Sequence, residues 1–267
     1  LSILMMSLPT MLIGLLPNYA SIGYMAPVLL LVMRAVQGIA IGGEIPAAWT
    51  FVSEHVPERH VGLANGALCA GLNAGILLGS LAALAIEKSF APEQVQAWAW
   101  RIPFVLGGLM GLITMQMRRV LHETPVFQAM RERKQLYQGI PLKAVLTEHR
   151  GAVLLSMLLT WILTACIMVA LLSTPQLMST AFGIPKATAF GMQSLAIVGG
   201  TIGCLIYGVL CDRLGVGNTL IVAAVVLAIS CVAYYTSLGN ADITTIGLLY
   251  VTMGMATGVA ACVPTAM

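Results

Sequence analysis

Residues 151–173 read GAVLLSMLLTWILTACIMVALLS and contain no charged side chain. An α-helix needs about 20 apolar residues to cross the hydrocarbon core of a bilayer, whereas a strand of a membrane barrel needs about 9 to 11 residues with strict alternation of polarity. The stretch is long and continuously apolar, so it predicts a membrane-spanning helix.

The composition extends this prediction to the rest of the chain. The 267 residues are 59% apolar and 9% charged, with a mean hydropathy of +0.93, whereas a soluble domain carries about 25% charged residues. These values exclude a soluble globular protein and a disordered one. The net charge of +3 leaves no pervasive basic surface, so we expect the lipid bilayer and not nucleic acid as a partner.

Eight apolar stretches follow one another along the chain, bounded by charged residues and turns. They predict an all-α membrane protein in the form of a multi-helix transmembrane bundle. Their ranges are 1–16, 25–51, 62–86, 102–117, 151–173, 187–210, 219–238 and 243–265.

The one long polar segment, residues 118–150, separates four predicted helices from four others. We predict that residues 1–117 form part of an N-terminal helical bundle and residues 151–267 part of a C-terminal one. Residues 118–150 are then a cytoplasmic linker between the bundles.

Basic residues in loops predict the orientation, because Lys and Arg near helix ends are retained on the cytoplasmic side. The loops on the linker side contain nine basic residues, namely Arg59, Arg118, Arg119, Arg131, Arg133, Lys134, Lys143, Arg150 and Arg213. The loops on the opposite side contain only Lys88, Arg101 and Lys186. The linker side, and with it both ends of the chain, is therefore expected to face the cytoplasm.

Several motifs carry a family resemblance. The second span contains residues 34–38 (RAVQG) and 42–44 (GGE) and leads into residues 53–58 (SEHVPE). This arrangement resembles the fourth helix of the major facilitator superfamily. Residues 16–23 (LPNYASIG), 100–104 (WRIPF) and 123–127 (ETPVF) narrow the resemblance to the metabolite:proton symporter family.

A further motif lies in the second half of the chain, where residues 208–215 (GVLCDRLG) are similar to the superfamily's cytoplasmic Gly-x-x-x-Asp-Arg-x-Gly loop. The resemblance places the eight spans as the family's third to tenth helices of twelve, so we expect the chain to be a fragment that lacks two helices at each end. It implies that the second, fifth and eighth spans line a central cavity.

The resemblance also implies a function. We expect a secondary active transporter of the bacterial inner membrane and not an enzyme. It moves a small organic acid or zwitterion, a carboxylate-bearing metabolite, together with protons by alternating access, as a monomer and without a cofactor. The alternative is a truncated or decayed carrier that acts at most as a membrane interaction module.

The gate that the resemblance implies lies on the cytoplasmic side. There the carboxylates that match Glu54 and Asp212 take part in charge contacts that hold the inward side closed. The chain departs from the family pattern at Val61, Val216 and Gly217, where basic residues are usual. Either the gate is held differently here or the chain is drifting from function. The gate residues that we predict are Glu54, Arg59, Glu123, Asp212 and Arg213.

Arg34 lies inside the second span and stays charged at any physiological pH. Placing a basic residue at the middle of a membrane helix costs about 2.5 to 3.5 kcal/mol of insertion free energy. Two interpretations stay open. Either Arg34 recognises a substrate carboxylate or responds to the protonation of a nearby acid, or it snorkels towards the membrane surface or bonds to carbonyl groups of a neighbouring helix. Gln37, one turn onward, either binds substrate or bridges helices. Glu44 is a carboxylate within a span, so it is a candidate for proton coupling, or else a solvated acid at the inner cavity mouth or a partner of one of the absent helices.

In the fifth span Ser156, Thr160 and Thr164 recur one turn apart, which places their hydroxyls on one face. We expect that face to line the cavity. Trp161 beside it either packs against substrate or packs between helices. In the eighth span Tyr250 is a candidate for substrate contact, with bundle packing as the alternative.

Glycines recur at four-residue spacing in three spans, which allows helix backbones to approach closely. They are Gly71, Gly75 and Gly79, then Gly199 and Gly203, then Gly254 and Gly258.

The sequence contains no Gly-rich phosphate loop, His-Glu-x-x-His run or Gly-x-Ser-x-Gly elbow. We therefore predict no enzyme activity and no metal site.

Overall fold

The computed structural model describes residues 2–118, 132, 145, 147–239 and 242–262, and every regular element in these ranges is a helix. This confirms the prediction of an all-α protein. In the first half, α1 is Ser2–Leu15, α2 is Met25–His55, α3 is Val61–Ser89 and α4 is Arg101–Arg118. In the second half, α5 is Arg150–Ile167, α6 is Thr174–Ala181, α7 is Lys186–Leu214, α8 is Val216–Ser237 and α9 is Ile243–Thr257.

Short helical turns join several of these helices. A 3₁₀ turn, Glu58–His60, leads into α3, and another, Gly258–Cys262, continues α9. Wider π-helical turns occupy Val95–Ala99 before α4 and Met168–Ser173 between α5 and α6. The predicted span 151–173 is therefore α5 together with a π-helical turn, and residues 263–265 of the last predicted span lie outside the described residues.

Gly215 ends α7 and separates it from α8. Its φ of 80° lies in the left-handed region, which a residue without Cβ enters at little cost. Its N–H donates to the carbonyl oxygen of Cys211 at 3.1 Å. The last glycine of the 208–215 motif thus has a local structural reason.

Among the described residues, five helical segments are long and apolar enough to cross a membrane, namely Met25–His55, Glu58–Ile86, Thr188–Leu214, Val216–Ser237 and Ile243–Ala260. A sixth is obtained if Pro92–Ala99 and Arg101–Met117, which meet at an angle of 42°, count as one broken span. The described parts of all eight predicted stretches are mainly helical, but α1, with 14 residues, is short and α5 is not among the five.

The described chain forms two compact units. Unit 1 comprises Leu1–Phe51 and Leu78–Glu123, and unit 2 comprises Val52–Leu77 and Thr124–Met267. The border differs from the predicted division at residues 118–150, because the first half of α3 packs in unit 2. The two-bundle arrangement with a cytoplasmic linker stays a prediction, and most of the linker lies outside the described residues.

In unit 1, α1 packs closely against α4. A Cβ on Gly108 would lie 2.5 Å from the Cβ of Met11, and one on Gly111 would overlap the side chain of Ser7. In unit 2 the core lies between the π-helical turn at 168–173 and helices α6 to α9. Its largest fully buried members include Met178, Tyr234, Tyr250 and Met253.

The glycine spacing predicts helix contacts only in part. A Cβ on Gly199 would lie 2.8 Å from the Val251 carbonyl oxygen, and Cβ atoms on Gly203, Gly254 and Gly258 would overlap backbone atoms of the facing helix. This confirms the close approach of α7 to α9. For α3 the close approach stays a prediction, since a Cβ on any glycine of its row would meet no described atom within 4 Å; the row is Gly71, Gly75 and Gly79.

Candidate functional site

A chain of hydrogen bonds in unit 1 links α2 to α1. The Arg34 guanidinium donates through Nη1 to Oε1 of Gln37 at 3.2 Å, and Gln37 donates through Nε2 to Oγ1 of Thr10 at 2.6 Å. Thr10 in turn donates to the carbonyl oxygen of Met6 at 2.6 Å. Gln37 is half-buried and Arg34 is exposed. The chain therefore begins inside α1 and ends at an accessible cation.

A second polar contact joins the same two helices, where the Ser2 hydroxyl donates to Oε2 of the half-buried Glu44. Ser2 and Thr10 are eight residues apart on α1, and Gln37 and Glu44 are seven apart on α2. At 1.5 Å rise per residue these separations are about 12 Å and about 10.5 Å. The two contacts are thus compatible with one antiparallel register of α1 against α2.

These contacts show what the three polar residues in α2 bind within the protein. Gln37 does bridge two helices, and Glu44 has a partner on α1. Arg34 bonds within its own helix and keeps an exposed guanidinium, which has five N–H donors in all. Roles of these three residues in substrate binding or coupling stay predictions.

Arg101 brings two of the sequence motifs together in unit 1. Its Nη2 donates to the Leu16 carbonyl oxygen at 3.1 Å and to Oδ1 of Asn18 at 2.6 Å, and its Nη1 donates to the Ala97 carbonyl oxygen at 2.7 Å. The guanidinium carbon also lies 4.7 Å from the ring centroid of Trp100, a cation–π distance. Arg101 therefore fixes the end of the 16–23 motif against the 100–104 motif.

Asp212 is the best-defined of the predicted gate residues. Its half-buried carboxylate accepts from the backbone N–H of Gly62 at 2.7 Å and of Leu63 at 2.9 Å. These donors belong to the first turn of α3, and the N–H groups of a first turn have no acceptor within their own helix. A carboxylate there also compensates the positive end of the helix dipole. Asp212 thus joins the end of α7 to the start of α3.

Glycines make this contact possible. A Cβ on Gly62 would lie 2.5 Å from the Gly208 carbonyl oxygen, and one on Gly66 would lie 2.6 Å from the Cys204 carbonyl oxygen. The backbones of α3 and α7 therefore touch directly over these residues, which lets the Asp212 carboxylate reach the first turn.

The other gate residues stay predictions. Glu54 is half-buried near the end of α2, Arg59 is exposed in the Glu58–His60 turn, and Arg213 is exposed beside Asp212. Glu123 lies outside the described residues. The departure from the family pattern at Val61 leaves the Asp212 contact intact, because Asp212 binds backbone N–H groups and not a side chain.

The predicted polar face of α5 lies in unit 2. Thr160 and Thr164 are exposed and Ser156 is half-buried. The Thr164 hydroxyl donates to the Thr160 carbonyl oxygen at 2.8 Å, a bond within its own helix. Trp161 is 72% exposed. Whether this face contacts a solute stays a prediction.

Tyr250 has a packing role in the structure. It is fully buried, and its hydroxyl donates to the Leu171 carbonyl oxygen at 2.7 Å. The sequence explains why this carbonyl oxygen needs another donor. Pro175 has no N–H, so it cannot donate to the Leu171 carbonyl oxygen four residues earlier. Gln193 donates to the same oxygen at 3.0 Å. This contact agrees with the packing alternative for Tyr250, whose hydroxyl satisfies a buried carbonyl, and a role in solute contact stays a prediction.

Comparison with known proteins decides the family. A sequence model described as the Major Facilitator Superfamily matches residues 1–267. The chain belongs to the Major Facilitator Superfamily. A solved structure of another superfamily member, the proton:xylose symporter XylE, aligns over 98% of this chain and 65% of its own, with a TM-score of 0.70 and 15% identity. That similarity confirms the all-α membrane fold of the superfamily.

Curated relatives within the superfamily have names that describe transport. The chain is 30% identical to the inner membrane metabolite transport protein YhjE of Escherichia coli over 249 residues, or 90% of this chain and 56% of YhjE. It is also 30% identical to the glycine betaine/proline/ectoine/pipecolic acid transporter OusA of Dickeya dadantii over 262 residues, or 94% and 51%. The chain thus spans about half the length of these relatives.

A third relative matches a shorter part at higher identity. The proline/betaine transporter of Salmonella typhimurium is 37% identical over 157 residues, which is 56% of this chain and 31% of that protein.

Sequence reasoning missed the partners of the polar residues in this superfamily member. Ser2, Met6 and Thr10 follow one face of α1 at four-residue spacing, a signal that was available but mixed with an apolar Met. The contacts of Asp212 had no such signal, because backbone N–H groups do not appear in a residue pattern. Among the described residues, no group of three or more His, Cys, Asp or Glu could hold a metal ion.

Proposed function

We propose that the chain carries out secondary active transport of a small carboxylate-bearing solute, coupled to the proton gradient of the bacterial inner membrane, by alternating access. Relatives are named as transporters of metabolites, proline, betaine and pipecolic acid. Proline, betaine and pipecolic acid all have a carboxylate group. The shared chemistry favours a cation in the solute site.

Arg34 carries the proposal. It is exposed on α2, and its one hydrogen bond among the described residues uses a single N–H, donated to Gln37. Four N–H donors then remain for a ligand. Guanidinium donors form a planar fork that matches the two oxygens of a carboxylate. Arg34 would receive the solute carboxylate through this fork.

Glu44 is the group that we propose for the proton. It is a carboxylate on the same helix, ten residues from Arg34, and a serine hydroxyl donates to it. A carboxyl group in a span can take a proton on one side of the membrane and release it on the other. In this scheme Glu44 changes its protonation state while Arg34 holds the solute.

The alternative, a decayed carrier without transport, rests on the changed residues at the gate, Val61, Val216 and Gly217. The Asp212 contact weighs against it, since the contact needs none of the three side chains.

Uptake into vesicles tests the proposal. The protein, expressed at its native length and reconstituted, is given labelled proline, betaine and a dicarboxylate, each with its methyl ester as a competitor, with and without an uncoupler. We expect accumulation of an acid, abolished by the uncoupler and not inhibited by the ester. Equal inhibition by acid and ester would contradict carboxylate recognition.

The substitution Arg34→Lys sharpens the test. Lys keeps the charge and loses the planar fork, so we expect the KM for uptake to rise about tenfold or more. Arg150→Lys, at an exposed site at the start of α5, is the matched control and should leave the KM unchanged. Normal uptake by the Arg34→Lys variant would remove Arg34 from the solute site.

A further inference from the structure

Thr10 has a single hydroxyl proton, and the structure shows where that proton goes. Oγ1 lies 2.6 Å from the Met6 carbonyl oxygen, which accepts it. Toward any other group the hydroxyl can therefore act only as an acceptor. The group that it faces is the side-chain amide of Gln37, at 2.6 Å.

This property of Thr10 selects one of the two orientations of the Gln37 amide. With Nε2 toward Thr10, the amide donates to a free lone pair. With the amide turned over, Oε1 would face a hydroxyl oxygen that has no second proton to give. The Gln37 oxygen must then point away from α1, and it lies 3.2 Å from Nη1 of Arg34.

The same orientation suits Arg34, since a guanidinium offers only donors. A turned amide would place its NH₂ group against the guanidinium N–H groups, donor against donor. The chain Met6, Thr10, Gln37 and Arg34 is thus consistent in direction from end to end. Bonds in such a chain polarise one another in the low dielectric of a membrane span.

The packing of α1 holds Thr10 in place. On the neighbouring face of the same helix, Ser7 and Met11 are in close contact with Gly111 and Gly108 of α4. A helix fixed on one side by backbone contacts can serve as a rigid support for a side chain on the other.

We propose that Thr10 is a positioning residue of the solute site: it orients the Gln37 amide, and through it the Arg34 guanidinium that receives the solute carboxylate. This rests on the proposed function. Thr10 itself touches neither the solute nor the guanidinium. The hydroxyl is the group of Thr10 that this role requires.

Three single variants test this role in the uptake assay. Thr10→Val removes the hydroxyl at nearly constant shape, and we expect the KM for the solute to rise about tenfold with little change in the maximal rate, because ground-state binding is lost. Thr10→Ser keeps the hydroxyl and should restore the KM. Thr114→Val is the matched control. The Thr114 hydroxyl also donates to the carbonyl oxygen four residues earlier, at 3.0 Å, but Thr114 is at an exposed position on α4.

A double variant tests whether Thr10 acts through Gln37. In a Gln37→Leu background, the further change Thr10→Val should leave the KM where Gln37→Leu has put it, since the relay is already broken. Independent, multiplying effects of the two changes would overturn the proposal. A thermal unfolding curve for each variant distinguishes a loss of fold, which lowers Tm, from a loss of solute binding at an unchanged Tm.

The outcomes for the two proposals are distinct. If the unsubstituted protein accumulates no solute, both the proposed function and this inference fall. If it accumulates solute and Thr10→Val has an unchanged KM, only the role of Thr10 falls.

Discussion

Asp212 fixes the first turn of α3 through N–H groups of the second and third residues of that helix, which are the positions that an N-cap side chain normally serves. Because the cap comes from α7, loss of the carboxylate removes both a helix cap and a link between two helices. Asp212→Ala should destabilise the protein by about 1 to 2 kcal/mol, measured by thermal unfolding in detergent micelles.

Asp242 supplies a matched control for this prediction. It stands at the N-cap of α9, and its side chain makes no capping hydrogen bond. Asp242→Ala should therefore change the free energy of unfolding by less than about 0.5 kcal/mol. Equal effects of the two substitutions would mean that the Asp212 contacts contribute nothing.

At the residue scale, the polar residues that stand out could be predicted from the sequence, but the groups that they bind could not. Arg34, Glu44 and Asp212 stand out because charge is rare in this chain. Their partners do not stand out: Asp212 binds backbone atoms about 150 positions earlier in the chain, and Thr10 resembles any threonine that bonds to its own helix. Sequence left Tyr250 open between solute contact and bundle packing, and only the structure shows that its hydroxyl donates to a buried carbonyl oxygen.

At the scale of the element, the π-helical turn at Met168–Ser173 depends on side chains from two other helices. The Leu171 carbonyl oxygen accepts from Tyr250 and from Gln193. Tyr250→Phe and Gln193→Met should each cost about 1 kcal/mol, because one donor remains in each case. The double variant should cost more than the sum, since it leaves a buried carbonyl unsatisfied.

The measurement is again the free energy of unfolding, together with the KM for uptake. Simple additivity would show that the two donors do not share this acceptor. A large rise in KM for Tyr250→Phe without loss of stability would return Tyr250 to the solute site.

The contact between α7 and α9 gives a second prediction at this scale. A Cβ on Gly203 would overlap the Met255 carbonyl oxygen, whereas one on Gly191, in the same helix, would meet no described atom within 4 Å. Gly203→Ala should therefore destabilise by about 1 to 3 kcal/mol through overpacking. Gly191→Ala should be neutral or slightly stabilising; a loss of stability in Gly191→Ala equal to that in Gly203→Ala would contradict the assignment.

Helices and their approximate bounds were predictable because lipid leaves the backbone no partner but itself. Which glycine rows carry contacts was not, since Gly71 and Gly199 look alike in sequence. Only the position of a facing helix distinguishes them, and α3 meets α7 at Gly62 and Gly66 instead.

At the scale of the whole molecule, the order of the motifs along the chain predicted the superfamily, and the family match over residues 1–267 confirms it. Orientation in the membrane stays a prediction from the nine basic residues of one set of loops. Protease added to inside-out vesicles should cleave within residues 118–150, and protease added to right-side-out vesicles should not. Cleavage only from the outside would reverse the predicted topology.

The central claim is that solute and proton move together. The most direct measurement is the internal pH of vesicles that contain the protein and no ion gradient, followed with an enclosed dye after the solute is added outside. The account predicts solute-dependent acidification of the interior, which is absent in protein-free vesicles and requires a higher solute concentration with Arg34→Lys. Solute entry without any change of pH would contradict proton symport.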